Sequence, residues 1–93
     1  MKMEYVVSFG RKSSSAYGEW TSWIEVGRAD TLIEMTNLVF NLVTARKHVI
    51  RIALTVDGMI RSEVKLERDF YESMDSVNEI MGYVGLQILK GAI

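Results

Sequence analysis

The sequence contains no cysteine, a single histidine and no long apolar run. Without cysteine the chain forms no disulfide, performs no thiol chemistry and holds no cysteine-ligated zinc, and this absence fits a reducing compartment. No apolar run approaches the ~20 residues that span a bilayer. Glu4 and the polar residues 8–15 argue against a secretory signal. We therefore expect a soluble, cytoplasmic protein with no membrane partner.

The sequence also has no large excess of acidic or of basic residues, since the formal net charge is −1. Such a balance gives no general attraction to nucleic acid or to an anionic membrane. The 93 residues are 48% hydrophobic and 25% charged, which is ordinary for a globular chain. We expect one domain over residues 1–93 with a single core.

Hydrophobic periodicity predicts four strands and two helices. Period-2 alternation marks strands over residues 3–9, 19–26, 49–56 and 59–66. Asp57-Gly58 joins the last two strands and predicts a type I′ hairpin turn. The glycines at both ends of the polar residues 10–18 predict a loop between the first two strands. The order ββαββα predicts an α+β, two-layer fold: a four-stranded, mainly antiparallel sheet with both helices on one face.

Two helical stripes complete this prediction. Thr31 and Glu34 match a capping box at the start of the first helix, and Asp30 is the alternative N-cap. The second helix is predicted to be continuous from Asp69 to Lys90, with apolar residues at helical spacing. The predicted core face of the sheet includes the following residues: Trp20, Ile24, Val26, Ile50, Ile52, Leu54, Ile60, Val64 and Leu66.

No combination of residues predicts catalysis, a metal or a cofactor. Ser13, Ser14 and Ser15 lack the strand–turn–helix motif that activates a serine nucleophile. His48 has no carboxylate or serine at an informative spacing, and one histidine without cysteine does not build an ordinary zinc site. The acidic residues are scattered singly among basic ones, as on a solvated surface. We expect a protein that is not an enzyme.

Trp23 is the unusual residue, because strand alternation places it on the polar face of the sheet. In one interpretation it packs on the aliphatic stems of Arg51, Arg61 or Lys65, or under the loop of residues 10–18. In a second it anchors a protein interface. In a third it stacks on a base.

The first helix has a broad apolar surface that includes Ile33 and Phe40. Either the second helix buries both residues, with Gly82 and Gly85 permitting a close approach, or they form the contact of a homodimer.

The leading functional hypothesis is a small non-catalytic protein-binding module, either an adaptor or an inhibitor. Inhibitors of this size encoded by phages or mobile elements are one sub-class that fits. The alternative is nucleic-acid or nucleotide binding through the open sheet face and the basic loop. The residues predicted to contact a partner are Trp23, Tyr17, Arg11, Lys12, Arg51 and Arg61, with Trp20 as a further protein-binding anchor.

Overall fold

Two β-hairpins, side by side, form the sheet of this protein. The computed structural model describes residues 1–92. Its elements are β1 (Met3–Ser15), β2 (Gly18–Ala29), α1 (Leu32–Thr44), β3 (Val49–Val56), β4 (Met59–Glu67), α2 (Arg68–Glu72) and α3 (Val77–Ala92). All neighbouring strands are antiparallel, in the order β2-β1-β3-β4. The predicted α+β class and ββαββα order are confirmed, with the second helical region divided into α2 and α3.

The core lies between one face of the sheet and the helices. In this layer α1 packs on β1 and β2, while α3 packs mainly on β4. Alternation explains the sheet contribution, because every second residue of β3 and β4 points to the same face. The largest fully buried side chains come from every element except β2: Val7, Met35, Val39, Ile50, Ile52, Leu66, Tyr71 and Val84.

Two local sequence signals produce the expected geometry. Asp57 and Gly58 both have positive φ, 51° and 83°, as a type I′ turn requires. Thr31 is the N-cap of α1, and its Oγ1 accepts a hydrogen bond from the Glu34 backbone N–H at 3.2 Å. That bond satisfies one of the donors left free at a helix start.

The predicted loop over residues 10–18 is wrong. The strand β1 continues to Ser15 and β2 begins at Gly18, so the connection is a two-residue turn, Ala16-Tyr17. Pairing of β1 with β3 stops at Gly10, whereas pairing with β2 continues to the turn. Residues 11–22 therefore form a two-stranded ribbon that extends beyond the rest of the sheet. We call it the hairpin arm.

Each outer strand contains a β-bulge, at Val26 in β2 and at Arg61 in β4. A bulge adds one residue and reverses the alternation beyond it. The inward orientation predicted for Ile60 is consequently wrong: Ile60 lies opposite Thr55 and is 53% exposed. Val26 is the extra residue of the other bulge, and it is also partly exposed.

The predicted core position of Trp20 is wrong for a different reason. Trp20 pairs with Ser13 in the hairpin arm, beyond the part of the sheet that the helices cover, and half of its surface is exposed. Ile24, near the base of the arm, is also partly exposed. Trp20 and Ile24 do point to the face of the sheet on which the helices pack, as predicted, but the helices do not extend far enough to cover them.

The second helical region is interrupted between Glu72 and Val77. Ser76 caps the start of α3, since its Oγ accepts a hydrogen bond from the Glu79 backbone N–H at 3.2 Å. The Glu79 carboxylate in turn accepts one from the Asp75 N–H at 2.9 Å. This reciprocal cap explains why a new helix starts here and not a continuation of α2.

Candidate functional site

Trp23 lies on the sheet face opposite the helices and is half-buried by its own chain. It is directly across from Gly10 in the β1–β2 pairing. The Arg51 guanidinium and the Lys65 ammonium each lie 5.6 Å from the centre of its ring system. Packing of Trp23 on Arg51 and Lys65 is thus present within the molecule, and it leaves less of the indole for a partner.

The charges on this open face are matched. Arg51 Nε donates to Glu63 at 2.8 Å, and Lys65 is 4.0 Å from the same carboxylate. On the other side of the face, Arg28 contacts Glu25 at 3.2 Å and Glu4 at 3.8 Å. A phosphate placed beside Arg51 would compete with Glu63.

The predicted partner-binding residues do not lie together. Arg61 is at the β4 bulge beside the Asp57-Gly58 turn, at the end of the sheet opposite the hairpin arm. Arg11, Lys12 and Tyr17 are all on the arm. The structure therefore separates Arg61 from the residues with which it was grouped.

The hairpin arm presents aromatic side chains to solvent. Tyr17, in the turn, is 100% exposed, and Trp20 is 50% exposed. The turn is held by a hydrogen bond from the Tyr17 N–H to Ser15 Oγ at 3.1 Å. An exposed tyrosine and tryptophan on a paired ribbon form a contact surface whose backbone is already ordered.

At the base of the arm lies a cleft of about 490 Å³ that we call the basic cleft. Its lining residues are Phe9, Gly10, Arg11, Lys12, Ile24, Lys47 and His48. No carboxylate is among them, and none of the ion pairs within residues 1–92 involves Arg11, Lys12 or Lys47. Arg11 and Lys47 lie on the face of Phe9 and Ile24, whereas alternation along β1 directs the Lys12 side chain to the face of Trp23, at the rim of the cleft. The cleft therefore combines an apolar floor with three surrounding cations that lack a carboxylate partner in the described chain.

Lys47 is a cleft residue that the sequence did not indicate. Its ammonium lies 4.3 Å from the Phe9 ring centroid, a cation–π distance. The sequence suggests only one role for Lys47, a favourable interaction with the dipole at the C-terminal end of α1. Only the pairing of β1 with β3 shows that this helix end returns to the base of the arm.

The backbone that carries Lys47 is fixed from both directions. The Lys47 N–H donates to the Leu42 carbonyl, and the Arg46 N–H donates to the Val43 carbonyl. These two hydrogen bonds and the positive φ of Arg46, 54°, define a Schellman motif at the end of α1. The Tyr71 hydroxyl donates to the Lys47 carbonyl at 2.6 Å. Burial raises the pKa of Tyr71 above its usual value, which favours the protonated donor.

A surface ion pair adds a second link between α1 and α2. Arg46 Nε donates to the Glu72 carboxylate at 2.8 Å. This hydrogen bond lowers the pKa of Glu72, although solvent limits its effect on stability.

The outward surfaces of α1 and α3 are open and apolar. Ile33 is 75% exposed and Phe40 is 49% exposed, so the alternative in which the second helix buries both residues is wrong. Apart from the adjacent residues and the α3 backbone, no atom lies within 4 Å of the position that a Cβ would take at Gly82 or Gly85. A groove of about 370 Å³ separates the two helices, and we call it the interhelical groove; Met3, Tyr5, Leu32, Met35, Leu54, Gly85, Ile88 and Leu89 line it.

Residues 1–92 offer neither a cluster of metal-binding side chains nor a membrane-spanning helix. Among residues 1–92, no group of three or more His, Cys, Asp or Glu side chains is arranged to hold a metal ion. Within the same residues, no helix has the length and apolar character needed to cross a bilayer. Ser13, Ser14 and Ser15 lie in β1, where they pair with β2.

Comparison of the chain with protein-family models, with curated proteins and with solved structures found no match.

Proposed function

We propose that this chain is a non-catalytic protein-binding module whose hairpin arm and basic cleft dock on an acidic surface of another cytoplasmic protein. The observation that supports this proposal most directly is the basic cleft, where Arg11, Lys12 and Lys47 have no carboxylate partner within residues 1–92. The open sheet face, by contrast, has paired its own charges.

Two kinds of side chain divide the work in this proposal. Tyr17 and Trp20 supply the area that is buried on contact, since aromatic residues account for much of the binding energy at protein interfaces. The cations orient the partner and increase the rate of association. Trp23, which is already covered by Arg51 and Lys65, contributes less than it would if it were free.

The ribbon geometry supports the same proposal. The arm projects beyond β3 and is paired along its length from Arg11↔Ser22 to Ser15↔Gly18. A paired ribbon loses little conformational entropy when it enters a cleft of a partner. Occupying such a cleft is the inhibitor form of the proposal, and bridging two proteins is the adaptor form.

The test begins with two separate variants. One carries a photo-crosslinking side chain in place of Tyr17, and the other, the control, carries it in place of Arg61. A protein captured through position 17 and not through position 61 is then purified, and its affinity is measured for matched variants. We expect Lys12→Glu to weaken binding about tenfold or more, and Arg61→Glu, with the same change in net charge, to weaken it less than about twofold. Equal effects of the two variants would contradict the proposal.

Nucleic-acid binding is the second candidate, and the unpaired cations of the basic cleft, together with the exposed Trp20 on the hairpin arm, favour it. Electrophoretic shifts with single- and double-stranded DNA and RNA at two salt concentrations test it. Nucleic-acid binding predicts a shift that weakens steeply with salt and is lost in Lys12→Glu. No shift at low salt and micromolar protein would remove this candidate.

A further inference from the structure

The two long helices carry almost no charge, although much of their surface is exposed. Glu34 is the one charged residue of α1, and Glu79 and Lys90 are the two of α3. By helical periodicity Glu34 points away from the interhelical groove, whereas Glu79 and Lys90 lie on the same stripe of α3 as Leu86, seven residues before it and four residues after it. The groove itself is lined by uncharged residues, and charge borders it only along the outer edge of α3.

The exposed apolar area is large for a chain of this size. The contributing side chains are 47–75% exposed: Met3, Leu32, Ile33, Phe40, Leu86 and Leu89. If each offers about 200 Å² when fully exposed, together they present roughly 700 Å². A standard interface buries about 800 Å² on each partner, whereas the largest apolar patch of a typical monomer is about 300–600 Å².

The same surface contains both a ridge and a notch. Ile33 and Phe40 form the ridge on α1, and Gly82 with Gly85 forms the notch on α3. Leu32 and Leu89 line the same end of the groove. At about 1.5 Å per residue, Phe40 lies about 12 Å from Leu32 along α1, and Gly82 lies about 10 Å from Leu89 along α3. Ridge and notch are thus at nearly the same level.

The chain direction makes this arrangement self-complementary. Each helix runs in the opposite direction to the strand before it, α1 to β2 and α3 to β4. In the sheet β2 and β4 themselves run in opposite directions, so the two helices are antiparallel. A twofold axis parallel to them places α1 of one copy on α3 of the other, twice. Phe40 of each copy then faces the notch of the other.

We propose that the interhelical groove and its rims are the interface of a homodimer, in which the α1 ridge of each copy packs into the α3 notch of the other. The scarcity of charge favours a second copy, because the twofold axis sets α3, which carries Glu79 and Lys90, against α1 of the other copy, whose one charged residue, Glu34, points away from the groove. The interface is separate from the hairpin arm, so the proposal does not depend on the protein-binding function.

The test is the mass of the chain in solution by sedimentation equilibrium, from about 1 µM to about 1 mM. We expect a concentration-dependent dimer. Phe40→Glu raises the dimer Kd about tenfold or more, because it places a carboxylate in the partner's notch. Tyr17→Glu makes the same change in charge at the distant arm and leaves the Kd within about twofold.

A second variant separates dimerisation from folding. Gly82→Leu has room in the monomer, since no atom beyond its neighbours and the α3 backbone lies within 4 Å of its Cβ position, but it fills the notch. We expect an unfolding midpoint at least as high as that of the native chain, measured on dilute monomer, together with a Kd raised about tenfold or more. A chain that stays monomeric to about 1 mM, or a dimer that neither Phe40→Glu nor Gly82→Leu weakens, would overturn the proposal.

Discussion

Replacing Gly10 with alanine tests how Trp23 is accommodated on the open face of the sheet. A Cβ at Gly10 would overlap Val49 Cγ1, and it would lie 2.8 Å from Thr21 Cγ2 and 3.3 Å from Trp23 Cζ3. Val49 is only 4% exposed and is β-branched, so its side chain has little freedom to move aside. The missing side chain of Gly10 therefore gives the Trp23 ring the space to cross β1.

The cost of this substitution has two opposing parts. Forcing an extra methyl group into a filled site costs about 1–3 kcal/mol. Replacing glycine in a strand returns about 0.5–1 kcal/mol, because alanine has less freedom to lose on folding. With the middle of each range, the expected net loss is about 1 kcal/mol, or a fall in Tm of roughly 4–8 °C for a domain of this size.

Thermal and urea denaturation measure the stability, and fluorescence reports on Trp23. In a Trp20→Phe background Trp23 is the single indole, and we expect Gly10→Ala to shift its emission to the red as the ring moves into water. Gly82→Ala is the matched control, since its Cβ position is open; on dilute monomer it should gain up to about 1 kcal/mol. Native stability and unchanged emission in Gly10→Ala would refute the role assigned to Gly10.

Three further predictions concern the turn and the α1–β3 connection. Tyr71→Phe removes the donor to the Lys47 carbonyl and should cost about 1 kcal/mol in urea unfolding at neutral pH. The pKa of Tyr71 is raised in the folded chain, so its hydroxyl stabilises the fold below about pH 10, and this contribution is lost as the pH rises through the folded pKa. The free energy of unfolding of Tyr71→Phe should not show this loss at high pH. For Glu72 the folded pKa is lowered, so its contribution is present above about pH 4.3 and lost as the pH falls through the folded pKa; Arg46→Gln should flatten the stability curve in that acidic range. Gly58→Ala should lower the free energy of unfolding by about 1 kcal/mol, because φ there is +83°, and an unchanged Tm would contradict this.

Much of the fold could be predicted from short-range sequence signals. The Asp57-Gly58 turn and the Thr31 cap depend on a few adjacent residues, so the sequence alone indicates them. The cap formed by Ser76 and Glu79 has the same Ser-x-x-Glu signature, and it was hidden by an apolar stripe that continues across the break. A periodic stripe thus locates a helix well and its interruption poorly.

The faces of the outer strands were not predictable from alternation. Periodicity assumes that every residue advances the strand by one step, whereas a bulge uses two residues against one on the neighbouring strand. No residue type at Val26 or Arg61 marks this extra step. Ile60 was assigned to the core for that reason, and it instead lies on the open face.

The candidate site was predicted in part by residue type but not by position. Arg11, Lys12 and Tyr17 do lie on one projection, but their segment is a paired ribbon and not a loop. The serines 13–15 suggested a loop by composition, whereas pairing with β2 determines their conformation. Lys47 joins the basic cleft only through the long-range pairing of β1 with β3, which no local pattern encodes.

The positions of the two bulges also bear on how copies of this chain assemble. The bulges lie in β2 and β4, the strands that form the two free edges of the sheet, and the central pair β1–β3 has none. Bulged edges resist the addition of a further strand, which is how many natural sheets avoid growing without limit. Self-association should therefore stop at a closed pair of molecules instead of propagating along the sheet into fibres.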